Sequence, residues 1–209
     1  MLEEIAAYFT TNHASFQAAV WEHVSISAAS LGIALAVGAA GGVLCVWSGR
    51  ANVPVQSVFQ TLRIVPSLAV LLLLIPIMGT GIKPAVTALV LLAIPPIFLN
   101  TVAGLRGVPE FMLETAAGMG MTPRQAWRKV RLPLAMPMIL TGVKIAYVEI
   151  VASAALAAKI GAGGLGEIIF TGLGLDRADL LLIGGSAVAL LALAGGCLFG
   201  ILGKVLFRY

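Results

Sequence analysis

The sequence predicts an all-α membrane protein of about five transmembrane helices with one cytoplasmic helical hairpin, and three observations carry that prediction. The chain is 60% hydrophobic and 11% charged, with a mean hydropathy of +1.04, and a water-soluble domain has no place for so much apolar surface. Its apolar residues fall in runs of about 20, the length a helix needs to cross a bilayer. One long polar stretch, residues 109–133, interrupts those runs. Roughly five or six spans fill the length, so residues 1–209 read as a single transmembrane domain. No GxxxxGK[ST] nucleotide motif is present, and no polar segment is long enough to be a separate catalytic domain.

Taken in order, residues 1–22 mix Glu3, Glu4 and Glu22 with Tyr8, Phe9, Phe16 and Trp21, which suggests an interfacial helix or a short lead-in outside the bilayer. No basic region precedes an apolar core there, so no signal peptide is expected. The first span is expected over about residues 24–47, with Gly38 and Gly42 allowing close helix packing. Arg50 marks a polar connection. The second span covers about 57–78, with Arg63 and Pro66 near its start and Gly79-Thr80-Gly81 at its end. The third covers about 84–104, is broken by Pro95-Pro96, and approaches Asn100. The fourth runs over about 134–158 and carries Lys144 and Glu149. A glycine-rich turn follows, then a short helix and loop over 167–179, and a last span over about 180–203.

The polar stretch has the grammar of two short helices. Pro109 suits a first helical position, and Glu110 and Glu114 put negative charge near the positive end of the helix dipole. Gly118 and Gly120 weaken the helix end, and Gly120 can take the left-handed conformation of a cap. Thr122-Pro123-Arg124-Gln125 reads as a capping box that starts a second helix, with Pro133 expected to stop it. Ala126, Trp127 and Val130 share one face, while Arg124, Arg128, Lys129 and Arg131 crowd the others.

Several features point away from other functions. The net charge of +4 reflects basic residues at helix ends, which membrane topology explains without nucleic acid. Cys45 and Cys197 lie in apolar stretches with no metal-ligand spacing and are expected to pack as small hydrophobes. His13 and His23 precede the first strong span, where interfacial or solvated roles are expected. Gly161-Ala-Gly-Gly-Leu-Gly166 matches GxGxxG literally, but it follows a transmembrane helix instead of a strand, so dinucleotide binding is not implied. It is a tight bend, either lining a pathway or packing near the outer surface.

The order Glu114-Thr115-Ala116-Ala117, then Gly120, then Val130-Arg131-Leu132-Pro133 resembles the EAA loop of ABC importer permeases, with Thr115 and Val130 as mild departures. Ile64-Val65-Pro66-Ser67-Leu68-Ala69, Leu74-Ile75-Pro76, Gly79-Thr80-Gly81, Gly118-Met119-Gly120-Met121-Thr122 and Ile160 through Gly166 extend the resemblance over roughly residues 20–200. Together they are similar to the permease subunits of osmoprotectant importers for glycine betaine, choline and carnitine. The resemblance implies the type I importer permease fold and a location in a bacterial or archaeal cytoplasmic membrane. It implies a homodimer of permease chains, two ATPase subunits holding ATP and Mg, and an external binding protein or lipoprotein. In that picture Glu114, Ala116, Ala117, Gly120, Trp127, Val130, Leu132 and Pro133 couple to the ATPase. Trp127 and Val130 are candidate contacts into its cleft, and Leu132-Pro133 joins the lever to the fourth span. The chain itself is expected to carry no catalytic residue, metal or cofactor.

Ser67, Asn100, Glu149, Gly163 and Gly164 are candidate pathway residues. Glu149 and Lys159 depart from the small or apolar residues expected of that family. Charges within a span are costly and face a cavity or a partner, so Glu149 either attracts a cationic substrate or pairs within the bundle, with Lys144 a poor on-helix partner at five residues. Methionine importer permeases share the EAA loop and the glycine turn and remain an alternative substrate class. An ion-coupled secondary transporter would carry internal repeats, and a membrane enzyme a convergent catalytic cluster; neither is seen. The Lys/Arg bias expects five spans with the N-terminus outside, placing Arg50, Arg106, the hairpin, Lys204 and Arg208 in the cytoplasm, and Lys83, Lys159 and Arg177 outside.

Overall fold

A computed structural model describes residues 2–49 and 53–207; Arg50 and Arg208, both used above to orient the chain, lie outside the described residues. Ten α-helices follow one another: α1 (Leu2–Thr11), α2 (His13–Trp47), α3 (Val53–Leu62), α4 (Ser67–Met78), α5 (Ile82–Arg106), α6 (Glu110–Gly118), α7 (Pro123–Ala126), α8 (Leu132–Ala157), α9 (Leu165–Gly174) and α10 (Ala178–Leu206). A π-helical turn, Trp127–Arg131, joins α7 to α8, and a 3-10 turn, Ala158–Ile160, ends α8. Among the described residues, four helical stretches are long and apolar enough to cross a membrane: α2, α5, the run Pro123–Ile160 and α10. A fifth span is formed if α3 and α4 count together, since they pass the same test while bent by 88° at their junction.

Four of the five expected spans are present as continuous helices, while the second, expected over about 57–78, is split into α3 and α4 with an 88° bend between them; two of the others also differ in form. The first begins earlier, because α2 is continuous from His13 and takes in the end of the expected lead-in. At about 1.5 Å per residue, its 35 residues exceed the ~30 Å hydrocarbon core, so part of it extends beyond the bilayer or tilts within it. His23 is consequently inside the bundle and buried, contrary to the expected solvated or interfacial role, and its Nε2 hydrogen-bonds the Val151 carbonyl at 3.0 Å. The third span is not broken at Pro95-Pro96: α5 passes through both prolines, which are buried. The two missing N–H groups leave two carbonyls without helical partners, a loss a spanning helix tolerates when neighbours surround it, and α5 lies between α2 and α8.

Those neighbours come close because small residues stand at the crossings. On α8, a side chain at Gly142 would meet the Pro96 carbonyl at 2.8 Å and the Asn100 Cβ at 2.7 Å. On α2, one at Gly42 would meet the Thr101 Cβ at 2.7 Å. The main core follows from this packing: Ala34 of α2, Leu71 of α4, Ala88 and Ile97 of α5, and Ala146 and Ile150 of α8 form one buried cluster. Without a solvent-driven hydrophobic effect between helices in lipid, close van der Waals packing of this kind is what holds a bundle together.

Candidate functional site

Two regions carry the chemistry that the spans do not need for themselves. The first is the hairpin. α6 starts after Pro109 and ends at Gly118; Gly120 then takes φ +82° with nothing near the position of a Cβ, so backbone conformation alone selects glycine there. The capping box is formed as the sequence predicts. The Gln125 side-chain oxygen accepts the Thr122 N–H at 2.8 Å, and the Thr122 hydroxyl accepts the Gln125 N–H at 3.4 Å.

Pro133 does not stop the second helix, which is the chief correction here. The Leu132 N–H donates to the Trp127 carbonyl, five residues back, and the widened turn carries the helix past the proline into α8. Proline clashes with the carbonyl four residues before it, and a π turn next to it is one way a helix accommodates the clash. Residues 123–160 therefore form one continuous helical rod, basic in its first turns and apolar beyond them.

Coupling residues expected from sequence separate into an outer and an inner set. Glu114, Ala117 and Gly120 are exposed, whereas Ala116 is buried. Trp127, expected to reach into an ATPase cleft, has its ring packed on the cluster of Leu105, Ala135 and Ile139, with Leu132 beside it. Val130 and Pro133 are half-buried. The large exposed apolar groups of the hairpin are others: Phe111 is 62% exposed and Met119 is 69% exposed. Phe111, Glu114, Thr115 and Gly118 fall at helical spacing and are all exposed, so α6 presents a mixed ridge with a phenyl ring at its start. Behind that ridge a cleft is lined by Glu110 and Glu114 together with Arg106 and Arg131.

The second region lies between α4 and α8. At the bend between α3 and α4, residues Arg63 to Pro66 are all exposed, and Ser67 opens α4 half-buried. Glu149, in the second half of α8, is half-buried; the Arg63 guanidinium lies within electrostatic range of its carboxylate, with no direct ion pair between them among the described residues. Lys144 is not its partner; that side chain turns to α10, where its Nζ approaches Gly200. The approach of Arg63 to Glu149 was not legible in sequence, since Arg63 lies at the α3–α4 bend and Glu149 on α8.

The remaining candidates sit elsewhere. Asn100 stands at the α5–α8 crossing and donates its amide to the Pro96 carbonyl at 2.8 Å. Gly163 and Gly164 take φ +80° and +83° in the turn after α8. The Gly164 N–H donates to Glu22 Oε2 at 2.9 Å, and a Cβ at Gly164 would press on His23 at 3.3 Å. The Gly81 N–H donates to the Ile160 carbonyl at 2.7 Å. These bonds gather the start of α2, the α4–α5 loop and the glycine turn at the end of the bundle opposite the hairpin. Lys159, the other departure noted above, places its ammonium 4.3 Å from the Phe170 ring centroid, a cation–π contact. Among the described residues no cluster of three or more His, Cys, Asp or Glu could hold a metal ion.

A carnitine transport permease protein (OpuCB) of Listeria monocytogenes is 41% identical over 194 residues, 92% of this chain and 88% of the relative. A choline transport system permease protein (OpuBB) of Bacillus subtilis is 34% identical, again over 92% and 88%. An inward-facing structure of the MetNI methionine ABC transporter superposes with a TM-score of 0.75 at 24% identity, covering 92% of this chain and 96% of that one; at that identity it speaks to the fold, which is that of a type I importer permease. The model of the binding-protein-dependent transport system inner membrane components matches residues 30–208, and the chain belongs to that family.

Proposed function

We propose that this chain is the permease subunit of an ATP-driven importer for quaternary-amine osmoprotectants, acting as a homodimer with two ATPase subunits and an external binding protein. The observation that carries the reading is the exposed ridge of α6 at the foot of a continuous rod that runs across the membrane to Glu149 and beyond. The names of the relatives, for carnitine and for choline transport, supply the substrate class. ATP and Mg belong to the ATPase, and the chain makes and breaks no bonds. Closure of the ATPase pair moves α6 as a rigid body; the rod Pro123–Ile160 transmits the motion, and the α3–α4 elbow opposite Glu149 opens to one face and then the other.

Orientation follows from the same layout. Arg106, Arg124, Arg128, Lys129, Arg131 and Lys204 gather at the hairpin end, and the excess of Lys/Arg puts that end in the cytoplasm. The N-terminus, the Gly79–Gly81 loop and the glycine turn then face outward, toward the binding protein.

The test is ATP hydrolysis by the reconstituted assembly with glycine betaine, choline or methionine presented on the binding protein. Stimulation by a quaternary amine is expected. Stimulation by methionine alone would overturn the substrate class and keep the importer. Solute uptake in the absence of any ATPase would overturn the whole reading and favour an ion-coupled carrier. Within the pathway, Glu149→Gln removes the charge with little change of shape. Uptake is expected to fall by roughly tenfold, the equivalent of about 1.4 kcal/mol, while Lys144→Gln has little effect; unchanged kinetics in Glu149→Gln would remove the carboxylate from the pathway.

A further inference from the structure

On the membrane side of the hairpin, away from the α6 ridge, a cavity of about 780 Å³ opens between the end of α2 and the second arm. Its size is that of a ligand pocket, roughly 300–1,000 Å³. One wall is apolar and belongs to a spanning helix: Val43, Leu44, Val46 and Trp47. The other carries Arg124, Arg128 and Arg131, with Trp127 between them, and among the described residues no carboxylate takes part in the lining.

Arginines gathered on one wall repel one another; the three form no ion pair among the described residues, and although Arg131 also borders the cleft of Glu110 and Glu114, Arg124 and Arg128 do not. Arg131 is held by the Trp127 ring, 5.4 Å from its centroid, and its buried Nε has no hydrogen-bond partner. Leu44 is 60% exposed and Trp47 is 76% exposed, although both end a long apolar span. The wall they make is a surface for acyl chains. The two tryptophans lie where α2 ends and the α8 span begins, the level at which indole rings mark a membrane interface.

We propose that this cavity is a binding site for an anionic phospholipid of the cytoplasmic leaflet. The phosphate sits among Arg124, Arg128 and Arg131, and the acyl chains run along Val43 and Leu44. Charge complementarity selects an anionic head, and basic pockets beside spanning helices on the cytoplasmic side are suited to such heads. Guanidinium groups offer planar paired donors to phosphate oxygens. The apolar wall selects lipid over a free anion, which would leave Leu44 and Trp47 uncovered. Because the arginines stand on the arm that continues into α8, the bound lipid also fixes that arm at the bilayer surface; this last consequence rests on the proposed importer mechanism, and the lipid site does not.

The site is tested on the full-length chain alone, purified in neutral detergent, by lipid retention in native mass spectrometry. The probes are phosphatidylglycerol, cardiolipin, phosphatidylcholine and inorganic phosphate. Wild type is expected to retain the anionic lipids at least tenfold better than phosphatidylcholine and to retain no inorganic phosphate. Arg124→Gln with Arg128→Gln, both exposed positions that leave the packed Arg131 in place, is expected to lose that preference. Lysine at the same two positions should restore most of it, and Trp47→Ala should weaken retention without changing head-group preference. Equal retention of phosphatidylcholine and phosphatidylglycerol, or a preference untouched by the double glutamine variant, would overturn the proposal. Retention of phosphate alone would reduce it to an anion site. No ATPase or substrate enters the lipid assays, so failure of the importer reading cannot be confused with failure of the lipid site.

Discussion

Phe111→Ala is expected to abolish substrate-stimulated ATP hydrolysis and uptake while leaving the permease folded. The ring is 62% exposed at the first turn of α6 and is packed into none of the hydrophobic clusters of the bundle, so its removal opens no cavity in the chain itself. In the proposed assembly the same ring is the largest apolar group on the α6 ridge that would dock the ATPase. Aromatic anchors at the centre of an interface carry about 2 kcal/mol or more of binding energy each, which at 1.4 kcal/mol per tenfold weakens docking by roughly 30-fold. Copurification of the ATPase with the variant and its hydrolysis rate measure the loss directly. Met119→Ala, at the other end of the ridge, should show a smaller loss of the same kind. If Phe111→Ala hydrolyses and transports as wild type does, α6 is not the docking surface.

Gly166→Ala is expected to produce the largest loss of stability of any single methyl group. A Cβ at Gly166 would overlap the Ala155 carbonyl oxygen and come within 2.8 Å of the Ala158 Cβ. The oxygen belongs to the backbone of α8, which cannot move aside without pulling the rod away from α9. Overpacking commonly costs about 1–3 kcal/mol where side chains can yield, so a clash with backbone should exceed about 3 kcal/mol. The yield of monodisperse protein in detergent and its melting temperature report the effect. Gly185→Ala is the control: nothing lies within 4 Å of its Cβ position on α10, and helix propensity alone should make it neutral or slightly stabilising. A Gly166→Ala protein that melts with wild type would mean that α9 does not pack against α8 as described.

What the sequence made legible, and what it did not, divides by the distance over which the determining contact acts. The capping box at Thr122 and Gln125 and the left-handed turn at Gly120 depend on residues within three positions of each other, and both are formed. Span positions were legible for a related reason: hydrophobic run length is a local property. Pro133 shows where local rules stop. A proline does end most helices, yet here a π turn absorbs it, because the helix that follows is held by α5 along its length. The burial of His23 depends on Val151, 128 positions away, and no local pattern announces it. The same holds for the approach of Arg63 to Glu149, which follows from the packing of α4 on α8. Within the hairpin, helical spacing correctly grouped Ala126, Trp127 and Val130 on one face, but spacing says nothing of whether that face meets the bundle or an outside partner. Trp127 meets the bundle. An exposed Phe111 was equally unreadable, since a phenylalanine beside apolar spans is ordinarily taken for core.

The central claim is that motion applied to α6 reaches the α3–α4 elbow through the rod. It is tested most directly by the distance between spin labels at Thr115 on α6 and Ile64 at the elbow, both exposed. Cys45 and Cys197, which are free thiols, are first replaced by alanine, and labelled chains are diluted with unlabelled ones so that only distances within one chain are read. In the complete assembly the distance should change between the ADP-bound and ATP-bound states, whereas labels at Thr115 and Lys159, near the two ends of the rod, should keep their separation. A Thr115–Ile64 distance that stays fixed while the assembly hydrolyses ATP and transports would contradict the account.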